Sequence, residues 1–329
     1  MNRRGGDNSR LLSAFDEDGN DVELGPIGGL REKDKTEKYP MKCLRLTAGI
    51  LLLLTWSLGV YVLGVATAGS VVSHPMINGG TRASNANDLA LDHILLFGDS
   101  ITAYSARATG FSSHLRAEYT TKLDTLIRGF VGLNSHDAVP LVVPVIKSTS
   151  PSSPKAKTSL ITIMLGSNDA TSPDIKGAHV PIDEYKKNLK LIVGSIKSIS
   201  TNSRVVLITP PFMSVKFMMH RKSETIKLYR DACLETGNEI LKDGTKWSAQ
   251  NFTVLDSWDA LLGEDGAGNK GYDMASVMDL FEDGLHFSAK GNERMGQKII
   301  ERVRQQWPDL RKENIPNRLP EAKWIKENQ

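Results

Sequence analysis

Apolar residues fall into two patterns along this chain. One is a single uninterrupted stretch, Ala48–Ala68 (AGILLLLTWSLGVYVLGVATA), which carries no charge. The other begins at Leu89, where short β-rich runs alternate with longer stretches at helical spacing, the rhythm of βαβ units and a parallel sheet. The pattern predicts strands at His93–Phe97, near Thr125–Arg128, at Ser159–Leu165, at Arg204–Thr209 and at Phe252–Leu255. It predicts helices over Ser112–Lys122, Ser135–Lys147, Ile182–Ser198, Ser223–Leu241 and Ser288–Trp307. The second helix is the least secure, because Pro140 and Pro144 each remove a backbone donor and tend to kink a helix. Pro181 stands where its fixed φ suits a helix start. The expected fold class is therefore α/β: a three-layer αβα domain over 89–308 with a five-stranded, parallel, doubly wound (flavodoxin-like) sheet.

The flanking segments read differently. Residues 1–47 are poor in apolar residues and rich in Gly and mixed charge, as in FDEDGNDVE and REKDKTEK, and are expected to be a disordered tail. Residues 69–88 are rich in Gly, Ser and Asn and fit a short stem. The polar, Pro-rich stretch Ser148–Thr158 reads as a surface loop. Residues 309–329 lack core-forming periodicity and are expected to stay at the surface or partly disordered.

Ala48–Ala68 is long enough to cross a bilayer as a helix. About 47 residues precede it, too many for a cleaved secretory signal, so a signal anchor is the expected reading. Arg31, Lys33, Lys35, Lys38, Lys42 and Arg45 lie before the run, against only Arg82 between Gly69 and Ala90. That asymmetry keeps the amino terminus cytosolic. The expectation is a single-pass type II membrane protein whose main domain faces the lumen or the outside, and Asn251 in Asn-Phe-Thr becomes a possible glycosylation site. Cys43 and Cys233, the only cysteines, would then lie on opposite sides of the membrane and could not pair. A net charge of +3 with 24% charged residues gives no polybasic surface for nucleic acid. Oligomeric state is not legible.

Candidate chemistry starts at ILLFGDSITAYS, residues 94–105. An apolar strand breaks at Gly98, Asp99 and Ser100, and in a parallel sheet ligands bind at the carboxyl ends of strands. Ser100 is thus a candidate nucleophile, although serine also caps helices for structural reasons alone. A nucleophilic serine needs a base and the base an orienting group. Among the histidines His286 stands apart, because Asp283 precedes it by three residues in EDGLHFSAKGNERMG, a spacing that folds both side chains onto one turn. Two further loops leave the same sheet edge, RGFVGLNS and IMLGSNDA. They offer the Gly132 N–H and the Asn168 amide as donors for an oxyanion, or else a turn glycine and a helix cap.

The order FGDSI, GFVGLN, LGSND and DGLH resembles the four motif blocks of the SGNH hydrolases, the GDSL esterases and lipases, over Leu89 to Trp307. FGDSIT, VPIDEYKKNLK, VVLITPP and DGLHFSAKGNE look most like the isoamyl acetate-hydrolysing esterase subgroup. The resemblance implies Ser100 as nucleophile, Asp283 and His286 as the rest of the triad, and an oxyanion hole of the Ser100 N–H, the Gly132 N–H and the Asn168 amide. Ile101 replaces the Leu of the GDSL name, and Ile127 stands where that subgroup often has Asn; a membrane anchor is atypical of it. No Gly-x-Ser-x-Gly elbow occurs, which excludes the α/β-hydrolase pattern.

The expected activity is hydrolysis of short-chain or acetyl esters through an acyl-enzyme, without metal or organic cofactor. A small ester or an acylated glycan or lipid would be the substrate. Alternatives are an O-acyltransferase or lysophospholipase on the same triad, or an inactive membrane-anchored binding module. PFMSVKFMM and GYDMASVMDLF supply Met213, Phe217, Met218, Met278 and Phe281 as possible pocket residues, or as plain core.

Overall fold

A strand with apolar side chains on both faces needs a cover on each face, and so belongs in the middle of a layered domain. In the computed structural model of the chain this is the place of β1 (Asp92–Gly98), all of whose residues are buried. It pairs in parallel with β2 (Leu123–Gly129) on one side and β3 (Thr158–Met164) on the other. The sheet continues through β4 (Arg204–Ile208) to β5 (Phe252–Leu255), in the order β2-β1-β3-β4-β5 with every pairing parallel. The expected doubly wound sheet is therefore present. Full burial of Ile94, Leu95, Leu96 and Phe97 is worth about 1.5–3 kcal/mol for each side chain, which makes β1 the anchor of the core.

The structure describes residues 89–215, 220–244, 247–263 and 277–319, and the backbone alone of 14–15, 21–22 and 217–218. Two units divide the chain, 1–78 and 79–329. In the first, the described residues form one antiparallel pair, Ala14–Phe15 with Asp21–Val22. Ala48–Ala68, the stem and Cys43 lie outside the described residues. Among the described residues no helix is long and apolar enough to cross a membrane.

In the second unit β1 leads through α1 (Ser100–Tyr104) and α2 (Phe111–Glu118) to β2. The next crossovers are α3 (Ser135–Thr149), α4 (Ile182–Ile199) and α5 (Ser223–Asp243), and β5 is followed by α6 (Ser257–Leu262) and α7 (Ala289–Gln306). Right-handed crossovers running in opposite directions from β1 place α2 on one face of the sheet and α3, α4 and α5 on the other. Helix α7 packs against α2 and completes the first layer.

Despite its two prolines, α3 runs unbroken. Pro140 and Pro144 are both exposed, one turn apart on the solvent face, so the carbonyls they leave unpaired meet water. The opposite face buries Ala138, Val142, Val145 and Ile146, and Asn134 caps the start by accepting from the Asp137 N–H at 2.9 Å. Burial and capping outweigh the lost bonds.

After Trp307 the polar segment lies at the surface and is tied down there. Two short 3₁₀ turns, Pro308–Leu310 and Lys312–Asn314, bring Leu310 into the core at 5% exposure. Lys122 Nζ donates to the Ile315 carbonyl, and Arg318 pairs with Asp92 at 3.1 Å. Isolated apolar residues among charges show no period, yet one buried leucine and these polar ties are enough to dock the segment. Cys233 is buried and unpaired, and burial pushes its thiol up to about 12, as for a small apolar core residue.

Candidate active site

Strand register sets the site. Gly98 stands opposite both Gly129 and Met164, Met164 opposite Ile208, and Ile208 opposite Leu255. The strands therefore end level, and the loops after β1, β2 and β3 leave one edge. A Cβ on Gly98 would stand 2.4 Å from the Met164 carbonyl oxygen and from Thr102 Oγ1. Only glycine lets β1 finish this close to β3 and turn directly into α1. Asp99 caps that helix, accepting from the Ile101 N–H at 2.9 Å. Ser100 is then the first residue of α1, and its N–H has no partner within the helix.

The second element is a tight turn between Phe281 and Phe287, which pair as an isolated antiparallel bridge. The Glu282 N–H donates to the His286 carbonyl at 2.9 Å, and Gly284 supplies the positive φ of 91° that the reversal requires. The Ser214 N–H binds the Gly284 carbonyl at 3.0 Å, and Phe281 packs on Phe212 with ring centroids 5.1 Å apart. The turn is thereby fixed to the loop after β4. At its tip Asp283 Oδ1 accepts from the N–H groups of Leu285 (2.9 Å) and His286 (2.8 Å). Its Oδ2 lies 2.6 Å from His286 Nδ1. His286 Nε2 in turn lies 2.9 Å from Ser100 Oγ.

Three residues drawn from opposite ends of the domain thus form one hydrogen-bonded line from hydroxyl to imidazole to carboxylate. Partial burial would raise the Asp283 pKa, but the His286 ring and the two backbone N–H groups more than offset it and hold the carboxyl below its usual range. The ionised carboxylate fixes the ring and stabilises a positive charge on it. Tyr104, on α1, covers the imidazole with centroids 4.8 Å apart; Arg107 lies over Tyr104 and pairs with Glu282 at 2.7 Å. The contacts to His286 and Glu282 had no signal in the sequence, since each joins distant segments.

Gly132 has φ of 82°, and a Cβ there would meet nothing within 4 Å. Glycine is needed at this position for its backbone conformation and not for lack of space. Asn168 Nδ2 donates to the neighbouring Leu133 carbonyl at 2.9 Å, so the two candidate donor loops are tied together. Arg221 was not singled out from the sequence. It is 7% exposed, and its Nε donates to the Ser167 carbonyl (2.5 Å) and its Nη2 to Asn168 Oδ1 (2.7 Å). Beneath these loops lie two buried carboxylates. Burial raises Asp99 to about 7 and Asp169 to about 6.

The expected pocket residues are dispersed. Met213 is fully buried and Phe281 sits in an aromatic cluster with Phe212 and Phe287, so both belong to the core, where aromatic and Met side chains gain most from burial. Met278 is 60% exposed. Phe217–Met218 form a short antiparallel pair with Arg221–Lys222, and their side chains lie outside the described residues. A cavity of about 480 Å³ does open beside the Asn168 loop, lined by Ala170, Thr171, His179, His220 and Tyr229 among others; Met213, Met278 and Phe281 are not among its described lining residues. His93 bonds Thr158 and His136 pairs with Glu184. Asn251 sits half-buried at the amino end of β5, its Oδ1 accepting from the Ser248 N–H at 3.0 Å. No group of three or more His, Cys, Asp or Glu among the described residues is placed to hold a metal ion.

Residues 94–299, a span containing all five candidate catalytic positions, match the model of the GDSL-like Lipase/Acylhydrolase family. The chain is 31% identical over 260 residues to the Isoamyl acetate-hydrolyzing esterase 1 homolog of Rattus norvegicus, covering 74% of this chain and 92% of that protein. A GDSL esterase/lipase of Oryza sativa subsp. japonica is 29% identical over 218 residues, covering 63% of this chain and 75% of the relative. Among solved structures, a lipase/acylhydrolase from Enterococcus faecalis is similar with a TM-score of 0.48 at 22% identity, over 66% of this chain and 97% of that one.

Proposed function

The chain belongs to the GDSL-like lipase/acylhydrolase family and is a serine ester hydrolase; from that premise we propose that it cleaves short-chain, above all acetyl, esters through an acyl-enzyme on Ser100. The observation that carries this reading is the continuous line from Ser100 through His286 to Asp283. His286 Nε2 takes the Ser100 proton as Oγ attacks the ester carbonyl. The resulting oxyanion is received by the Ser100 N–H, the Gly132 N–H and the free N–H of the Asn168 amide. The protonated ring then gives its proton to the leaving alcohol, and water activated by the same ring releases the acid.

A short acyl group is favoured by the mammalian relatives, which are named for hydrolysis of isoamyl acetate. Over p-nitrophenyl esters from acetate to palmitate, kcat/KM is expected to peak at two to four carbons, at least about tenfold above decanoate. A maximum at twelve carbons or beyond would overturn the short-chain reading in favour of a lysophospholipase. Release of free acid with an acceptor alcohol present separates hydrolysis from acyl transfer.

The charge asymmetry around Ala48–Ala68 supports a type II anchor with the esterase domain on the lumenal side. In sealed microsomes, added protease should then digest an amino-terminal tag and spare a carboxyl-terminal one; the reverse pattern would exclude this topology. A glycosidase-sensitive mass shift lost in Asn251→Gln would support it independently.

A further inference from the structure

We propose that Arg221 is a positioning residue for the oxyanion hole, acting through Asn168; the proposal rests on the reading of Asn168 as an oxyanion donor. A side-chain amide has nearly the same shape in its two flipped orientations, so its neighbours decide which way the N–H groups point. Here Arg221 Nη2 presents a donor to Oδ1 at 2.7 Å, while the Leu133 carbonyl presents an acceptor to Nδ2 at 2.9 Å. Flipping the amide would set donor against donor on one side and acceptor against acceptor on the other. One Nδ2 hydrogen is then spent on Leu133 and the second is left to meet the substrate oxygen.

The grip is on the loop as well as on the side chain. Arg221 Nε holds the Ser167 carbonyl at 2.5 Å, and the Ser172 N–H donates to the carbonyl of the adjacent His220 at 2.7 Å. Loop 167–172 is thus tied at two points to the turn that precedes α5. A guanidinium suits this role because its planar fork fixes two acceptors at once, which a lysine ammonium does not. Its charge also polarises the amide: a cation on Oδ1 makes the remaining N–H a stronger donor to an oxyanion. Burying a charge at 7% exposure is a poor way to gain stability alone. Its place against the donor loop gives the cost a purpose.

A double-mutant cycle read with p-nitrophenyl acetate tests this. Asn168→Ala is expected to lower kcat about 10²- to 10³-fold. Arg221→Met should lower kcat about 10- to 100-fold, the worth of a hydrogen bond to a charged group, with little change in KM. In the Asn168→Ala background the same Arg221→Met change should alter kcat by less than about twofold, because its target is gone. An equal loss in both backgrounds would overturn the proposal, since Arg221 would then act elsewhere. Unchanged kcat in Asn168→Ala would remove the oxyanion reading and the proposal with it. Should Arg221→Met fail to fold, Arg221→Lys, which keeps the charge and loses the fork, carries the same cycle with the same expected non-additivity.

Discussion

Ser100→Ala and His286→Ala are each expected to lower kcat about 10⁴- to 10⁶-fold, with the double variant losing little beyond the worse single one. The 2.9 Å contact between Oγ and Nε2 is the one path in this arrangement by which the hydroxyl sheds its proton, so removing either end removes the whole step. Asp283→Asn should retain more activity. An asparagine oxygen at the Oδ1 position still accepts from the Leu285 and His286 N–H groups, so the turn survives while the ring loses its ionic partner. Steady-state hydrolysis of p-nitrophenyl acetate, with circular dichroism to establish that each variant is folded, reads these outcomes. Normal turnover by Ser100→Ala would refute the assignment.

The second large effect is on stability and comes from the residue before the nucleophile. Asp99 is fully buried; one carboxylate oxygen caps α1 and the other has no hydrogen-bond partner among the described residues. Burial raises its pKa from 3.8 to about 7. Between those values the folded chain keeps a proton that the unfolded chain has lost, so folding stability falls as pH rises and levels off above about pH 7. A shift of this size corresponds to a few kcal/mol, at about 1.4 kcal/mol per pH unit. Asp169, raised to about 6 for the same reason, adds in the same direction. Asp99→Asn keeps a capping oxygen and cannot ionise. Urea unfolding from pH 5 to 8 should therefore show the variant gaining on the parent chain as pH rises. Parallel pH profiles would show that Asp99 does not titrate in this window.

What could be read from the sequence is what depends on neighbours in the chain. Asp283 and His286 lie three residues apart and meet on one turn, so spacing alone exposed them. The strands were legible because β1 and β3 carry apolar runs on both faces, as parallel sheets buried on both sides require. Arg221 was not legible: it meets Asn168 from 53 positions away, and nothing local distinguishes it from any basic residue at a helix start. Met213 and Phe281 are buried, which could not be read from the sequence because a Met- and Phe-rich stretch looks alike whether it lines a cavity or fills a core. Pro140 and Pro144 weakened confidence in α3 because the sequence did not show that both would face water. The level ending of the strands, which makes five scattered residues a site, is a property of register and exists only once the sheet has formed.

The line from Ser100 to His286 spans 186 positions of chain, and that distance is also an interval of time. Synthesis at about 5–20 residues per second brings His286 out of the ribosome about 10–40 s after Ser100. Through that interval the growing polypeptide carries a hydroxyl with no base to activate it. A chain that ends between Leu255 and Asp283 keeps every strand of the sheet and its serine but lacks the imidazole that Ser100 Oγ meets. In this arrangement the hydroxyl meets its imidazole only once the turn between Phe281 and Phe287, among the last elements of the domain, is in place.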